Sequence, residues 1–206
     1  MSEESMKSNL WRRVNWPGLI AGMLLIALPF LGRWWIFKLG TEAFIMAVSP
    51  FAIDVSIFGE TIIVSPLVWW FILGFKLGVV YLGVLLLTGS ILSVSNRYAT
   101  IADMFVRFSA RKLLWLVVAF VAMLLSVSVL VNQLPGMLGL PFQLQVPYLI
   151  GTSSFSIGME GIQLTVPIFM GFMQAFALAV IAAAFGITAW IYQKKFFKKE
   201  ERNVKF

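Results

Sequence analysis

The sequence predicts an α-helical integral membrane protein: four transmembrane helices in two parallel hairpin repeats, with a small extracytoplasmic β-sheet formed by the two outer loops. Three observations predict it: an apolar composition, a recurrence of sequence and an uneven placement of charge. Of 206 residues 60% are hydrophobic and the mean hydropathy is +0.92. One soluble core of this size cannot bury that much apolar surface, so lipid must solvate most of it. The recurrence has a spacing of about one hundred residues. Arg12-Arg13-Val14-Asn15-Trp16 returns as Arg111-Lys112-Leu113-Leu114-Trp115, Met23-Leu24-Leu25 as Met123-Leu124-Leu125, and Ser56-Ile57 as Ser156-Ile157. The offset drifts only between 97 (Pro50 to Pro147) and 101 (Pro66 to Pro167), the pattern of an old duplication.

Taken in order, residues 1–15 are an amino-terminal tail, 16–92 the first repeat, 93–112 an amphipathic connector, 113–192 the second repeat and 193–206 a basic tail. Crossing roughly 30 Å of hydrocarbon takes about 20 helical residues. Four apolar runs offer this: Trp16 to Gly32, Leu67 to Leu92, Leu113 to Val131 and Pro167 to Tyr192. The first is short for a helix but could continue through Trp34 and Trp35. No small-x-small cleavage site follows it and its counterpart is internal, so it reads as an uncleaved helix and not a signal peptide.

Charge sets the orientation. The amino tail, the connector and the carboxyl tail hold a net +8, whereas the two outer loops hold −2 through Arg33, Lys38, Glu42, Asp54, Glu60 and Glu160. The positive-inside rule therefore places both termini and residues 93–112 in the cytoplasm of a plasma-membrane protein. Trp16, Trp115 and Trp190 are expected at the inner interface, and Trp34, Trp35, Trp69 and Trp70 at the outer one. The high pI thus points to anionic lipid headgroups and not to nucleic acid.

The outer loops read as strands. Ile53, Val55 and Ile57 alternate with polar neighbours up to a Gly59-Glu60 turn, and Ile62 and Val64 continue beyond it. Phe155 and Ile157, then Ile162, Leu164 and Val166, repeat this across Gly158 to Gly161. Extended segments precede both hairpins, at residues 43–49 and 142–146. A lone hairpin is marginal, so the two copies are expected to share one sheet of about six strands. In the connector, Ile101, Met104, Phe105 and Phe108 recur at helical spacing opposite Arg97, Arg107 and Arg111. This fits an interfacial helix or an extension of the neighbouring spans.

With no His and no Cys, the chain alone excludes Ser-His or Cys-His catalysis, haem ligation by those residues, ordinary zinc sites and disulfides. No phosphate-binding loop or metalloprotease motif is present. Neither enzymatic activity nor a cofactor is expected. Lys76 breaks the apolar pattern: it lies ten residues after Pro66, about 15 Å along a helix. A lysine at that depth costs roughly 2.5–3.5 kcal/mol unless it finds a partner, water or the headgroups. Its repeat match is Ala177, with Gln174 one turn away, so Lys76 and Gln174 form a candidate intramembrane polar pair of positions. Glu60 and Glu160, at matched hairpin tips, are turn residues or a contact for an outer partner. Gly18 with Gly22, and Gly74 with Gly78, have the spacing that lets helices approach closely.

In outline, four helices with cytoplasmic ends under an outer β-sheet, this resembles the claudins and other tetraspan proteins. The claudin first-loop signature of a Trp with paired Cys is missing, so no residue role is carried over. The expected function is a non-catalytic structural, assembly or accessory subunit, self-associating or part of a larger membrane complex. The alternative is an oligomeric channel or small transporter with Lys76 in its pathway.

Overall fold

The computed structural model describes residues 14–137, 146–159 and 162–203. They form helix α1 (Trp16–Ala27, continued by a 3-10 turn Leu28–Phe30), strands β1 (Trp35–Leu39), β2 (Phe44–Ser49), β3 (Ala52–Ile57) and β4 (Glu60–Ile62), and helix α2 (Pro66–Leu92). Helix α3 (Ala99–Met137), strands β5 (Gly151–Met159) and β6 (Ile162–Phe172), and helix α4 (Gln174–Asn203) follow. Three apolar segments, Pro66–Leu92, Ala99–Met137 and Gln174–Lys195, are long enough to cross a membrane. The chain groups into two units, Leu31–Phe75 with Val118–Ala177 and, of the remaining described residues, 14–30, Lys76–Val117 and 178–203.

Two expected helix boundaries move, each for a visible reason. The first apolar helix does not continue through Trp34 and Trp35, because Pro29 and then Gly32, at φ +102°, end it, and Trp35 opens β1. Trp16–Phe30, at about 1.5 Å per residue, is roughly 22 Å long, short of a full crossing. The last helix begins at Gln174 and not at Pro167, which sits inside β6 opposite Ser154. The Pro167 carbonyl accepts from Gly40 N at 2.7 Å. A residue's N–H and C=O face the same neighbour in an antiparallel sheet, so the missing donor lies where β1 is ending and the β5 ladder loses nothing.

The helical unit is packed through its small residues. Ala21, Leu86, Val106 and Ala189 share one buried cluster, with Phe185 and Trp190 against it. The stripe of α4 facing this core is Ala179, Ala182, Ala183, Gly186 and Ala189. On α3 it is Ala102, Val106, Ala110 and Leu113. Ile101, Met104 and Phe108, 44%, 53% and 47% exposed, lie outside this stripe. The cause is close approach. A Cβ on Gly89 would lie 2.9 Å from Phe105 Cβ and 3.1 Å from the Ala102 carbonyl, so small residues turn inward and large ones face out. Of the two forms expected for the connector, the structure has the continuous one, α3 running unbroken from Ala99.

The second unit holds one antiparallel sheet in the order β4-β3-β2-β1-β6-β5, the expected six strands. β1 joins the halves by pairing with both β2 and β6. One face is apolar across β2, β1 and β6: Trp35, Phe37 and Leu39 align with Val48, Met46 and Phe44, and with Phe172, Met170 and Ile168, while Ser153 of β5 and Glu60 of β4 are polar positions of that face on the edge strands. The same face continues through Ile53, Val55 and Ile57 to Ile62. The first hairpin turns at Phe58-Gly59 and not at Gly59-Glu60, with Ile57 opposite Glu60. Both turn residues have positive φ, 48° and 82°, the type I′ geometry, and this register sets Val55 against Ile62 and Ser56 against Thr61. Met159 pairs with Ile162 in the second hairpin, and Glu160 and Gly161 between them lie outside the described residues. A two-fold relation would exchange β3 with β5 and β4 with β6. Instead β4 and β5 are the two edges, and the sheet itself is not symmetric. The extended segment expected at 142–146 falls outside the described residues except for Val146.

Candidate functional site: an unfilled glycine notch on α2

The two glycine pairs predicted to pack helices behave differently. On α1, a Cβ at Gly18 would strike Ser90 Oγ, and one at Gly22 would lie 2.7 Å from Leu87 Cγ and 3.1 Å from the Gly83 carbonyl. That pair is consumed within the chain. On α2, a Cβ at Gly74 or Gly78 would meet nothing within 4 Å. The notch they form is flanked by exposed side chains at helical spacing: Leu67 (67%), Trp70 (66%), Leu77 (62%) and Tyr81 (61%).

Lys76 stands on another side of the same helix. Its stripe continues through Val79, Gly83 and Leu86, which are buried, as are Gly89 and Ser90 further along α2. Lys76 itself is half-buried and forms no hydrogen bond or ion pair with any described residue. Gln174 does not match its position, for it is the exposed first residue of α4. Glu60 is exposed at the start of β4, while Glu160 lies outside the described residues. Among the described residues, no hydrogen bond or ion pair joins Lys76, Gln174 and Glu60. Among the described residues, no group of three acids gathers as a metal site would require, and the ion pair is Arg33–Asp54.

Two polar ties escaped the sequence reading. Asn15, fully buried, caps α1 through Gly18 N at 3.2 Å and donates from Nδ2 to the Ala189 carbonyl at 3.0 Å and to Gln193 Oε1 at 3.1 Å. Asn before an apolar run with Pro at its start signals a cap, but the partner 178 residues away carries no sequence signal. In the sheet unit, Asn132 of α3 grips Val146 by both its N–H (2.7 Å) and its carbonyl (2.9 Å), and Ser128 donates to the Tyr148 carbonyl at 2.6 Å. These side chains take the place of a neighbouring strand just before β5.

Comparison with family models, curated proteins and solved structures gives no match. The functional reading rests on the residues alone.

Proposed function

We propose that this chain is a non-catalytic membrane subunit that assembles, with itself or within a larger complex, by seating a helix against the Gly74/Gly78 notch. The observation that carries this is the contrast between the two glycine pairs, one filled by the chain's own helices and one open. Glycines let backbones approach and gain dispersion contacts that lipid tails do not match. In this reading the short α1 is a fourth crossing and the two halves are parallel repeats. Both termini and residues 93–112 face the cytoplasm, where the basic residues meet anionic headgroups. Replacing Gly74 and Gly78 together with Ile should leave the monomer folded and lower the cross-linked oligomer fraction in native-like bilayers. An unchanged oligomer ladder would remove the proposal.

A second reading, an oligomeric channel or transporter, is favoured by one observation: Lys76 lies on the packed stripe of α2 without a partner among the described residues. Since Lys76 and the notch occupy different sides of the helix, the two readings separate. Lys76→Leu should leave assembly intact, and loss of anion-favouring flux in that variant would select the second reading. The orientation has its own check. With single cysteines at Ser95 and Ser154, both exposed, an impermeant reagent on intact cells should label Ser154→Cys and spare Ser95→Cys, and the reverse result would invert the topology.

A further inference from the structure

The β3–β4 hairpin ends in an aromatic residue that its turn should not contain. Phe58 has φ 48°, the left-handed region, and is the one described non-glycine residue with positive φ. Type I′ turns favour Asn at this place, while a bulky side chain there is strained by about 1–3 kcal/mol. Phe58 is also 81% exposed, so no packing inside the chain offsets the strain. The hairpin behind it is two-sided. Ile53, Ile57 and Ile62, 37%, 39% and 45% exposed, continue the apolar face of the sheet, which ends at the turn with the exposed carboxylate of Glu60 opposite Ile57, at headgroup reach, whereas Asp54, Ser56 and Thr61 occupy the other face. Toward the sheet centre the same apolar face is buried, with Trp35 at 3% and Met170 at 4%. The uncovered part is thus the outer wing and its tip.

What covers it is indicated by where the chain goes next. Ile63 is 92% exposed and three residues before Pro66, so it lies at most about 10 Å from the start of α2. The first turns of α2 expose Leu67, Trp69 and Trp70, the apolar and interfacial residues of a helix long enough to span. Along the chain the exposed wing leads directly into this exposed apolar stretch. We propose that the β3–β4 hairpin lies on the adjacent membrane leaflet with Ile53, Ile57 and Ile62 toward the lipid and Phe58 inserted below the headgroups. This rests on α2 crossing the membrane. The opposite face, with Asp54 held to Arg33, stays in water. Burial of Phe58 in the acyl region is then the gain that offsets its backbone strain.

The chain has no cysteine, so single spin labels can be placed without background. Phe58→Cys, Ile62→Cys, Ser56→Cys and Leu77→Cys are labelled separately in phosphatidylcholine–phosphatidylglycerol nanodiscs, and collision rates with oxygen and with a water-soluble nickel chelate are compared. The expected result is oxygen-favoured relaxation at 58, 62 and 77 and nickel-favoured relaxation at 56. Nickel-favoured relaxation at 58 and 62, with 77 still oxygen-favoured, would place the hairpin in water and overturn the proposal. Low access to both reagents at 58 and 62 would mean protein covers them, and also overturns it. If 77 is itself nickel-favoured, the membrane assignment of α2 fails with the proposal. Because the label replaces Phe58, Phe58→Asn is added behind the label at position 62. Asn suits the turn and keeps it folded, but removes the inserted ring, so oxygen access at 62 should fall. No change there would count against insertion by Phe58.

Discussion

Gly83→Ile should abolish the folded helical unit, while Gly78→Ile, five residues earlier on the same helix, should leave it standing. A Cβ on Gly83 would sit 2.6 Å from Ile26 Cγ1, 3.0 Å from the Gly22 carbonyl and 3.1 Å from Ile26 N. Two of those three atoms are backbone and cannot swing aside, so α1 must move bodily. Overpacking of this kind costs about 1–3 kcal/mol for a methylene or two and more for a branched side chain. That is a large share of the marginal stability of any small fold. The alanine pair sharpens the test because its signs differ. In a helix interior Ala is favoured over Gly by roughly 0.5–1 kcal/mol, so Gly78→Ala, with nothing within 4 Å, should gain slightly. Gly83→Ala should lose despite the same propensity gain. Tryptophan fluorescence through thermal unfolding in detergent, with size-exclusion profiles, reads both. Equal behaviour of the Gly78 and Gly83 variants would mean that the Gly22–Gly83 crossing does not hold the unit together.

The glycines also show how far the sequence can be read. Their i, i+4 spacing marks close helix contact, but the same motif at Gly18/Gly22 and Gly74/Gly78 does not say which pair is filled inside the chain. That depends on which helices meet. The connector shows a related point. In a water-soluble protein Ile101, Met104 and Phe108 would define the buried face, yet in lipid large apolar side chains gain little from burial and small ones gain contact, so Ala102, Val106 and Ala110 are inside. The sheet was legible because alternation survives in the outer loops, and apolar and polar faces there follow the period of two. Its boundaries were less so: Trp34 and Trp35 read equally as helix or strand in an apolar run, and Pro167 marks a helix start only when the strand before it is short. Lys76 was conspicuous as a charge, but the stripe it shares with Val79 and Gly83 needs the packed face of α2 to be known.

Trp34→Ala should be the most damaging single change in the sheet unit. Trp34 is fully buried and meets three rings edge-on: Phe51 at 5.5 Å, Phe120 at 5.1 Å and Phe176 at 5.8 Å. Its backbone is a junction as well, with its N–H donating to the Val48 carbonyl at 2.9 Å and its carbonyl accepting from Met173 N at 2.8 Å. Removing the ring leaves the backbone bonds and opens a cavity between β2, α3 and the start of α4, at a cost of about 3–5 kcal/mol. The indole N–H makes no hydrogen bond to a described acceptor and is surrounded by aromatic rings. Trp34→Phe therefore forfeits volume but no hydrogen bond. Trp35 is the opposite case, since its Nε1 donates to the Leu149 carbonyl at 2.9 Å, and Trp35→Phe leaves that carbonyl unpaired at about 1–3 kcal/mol. Near-UV circular dichroism through denaturant unfolding should rank Trp34→Ala as the least stable of the three. A Trp34→Ala protein that unfolds at the parent midpoint would show that the Phe51–Phe120–Phe176 cluster closes without its central ring, and that the sheet is held by its ladder alone.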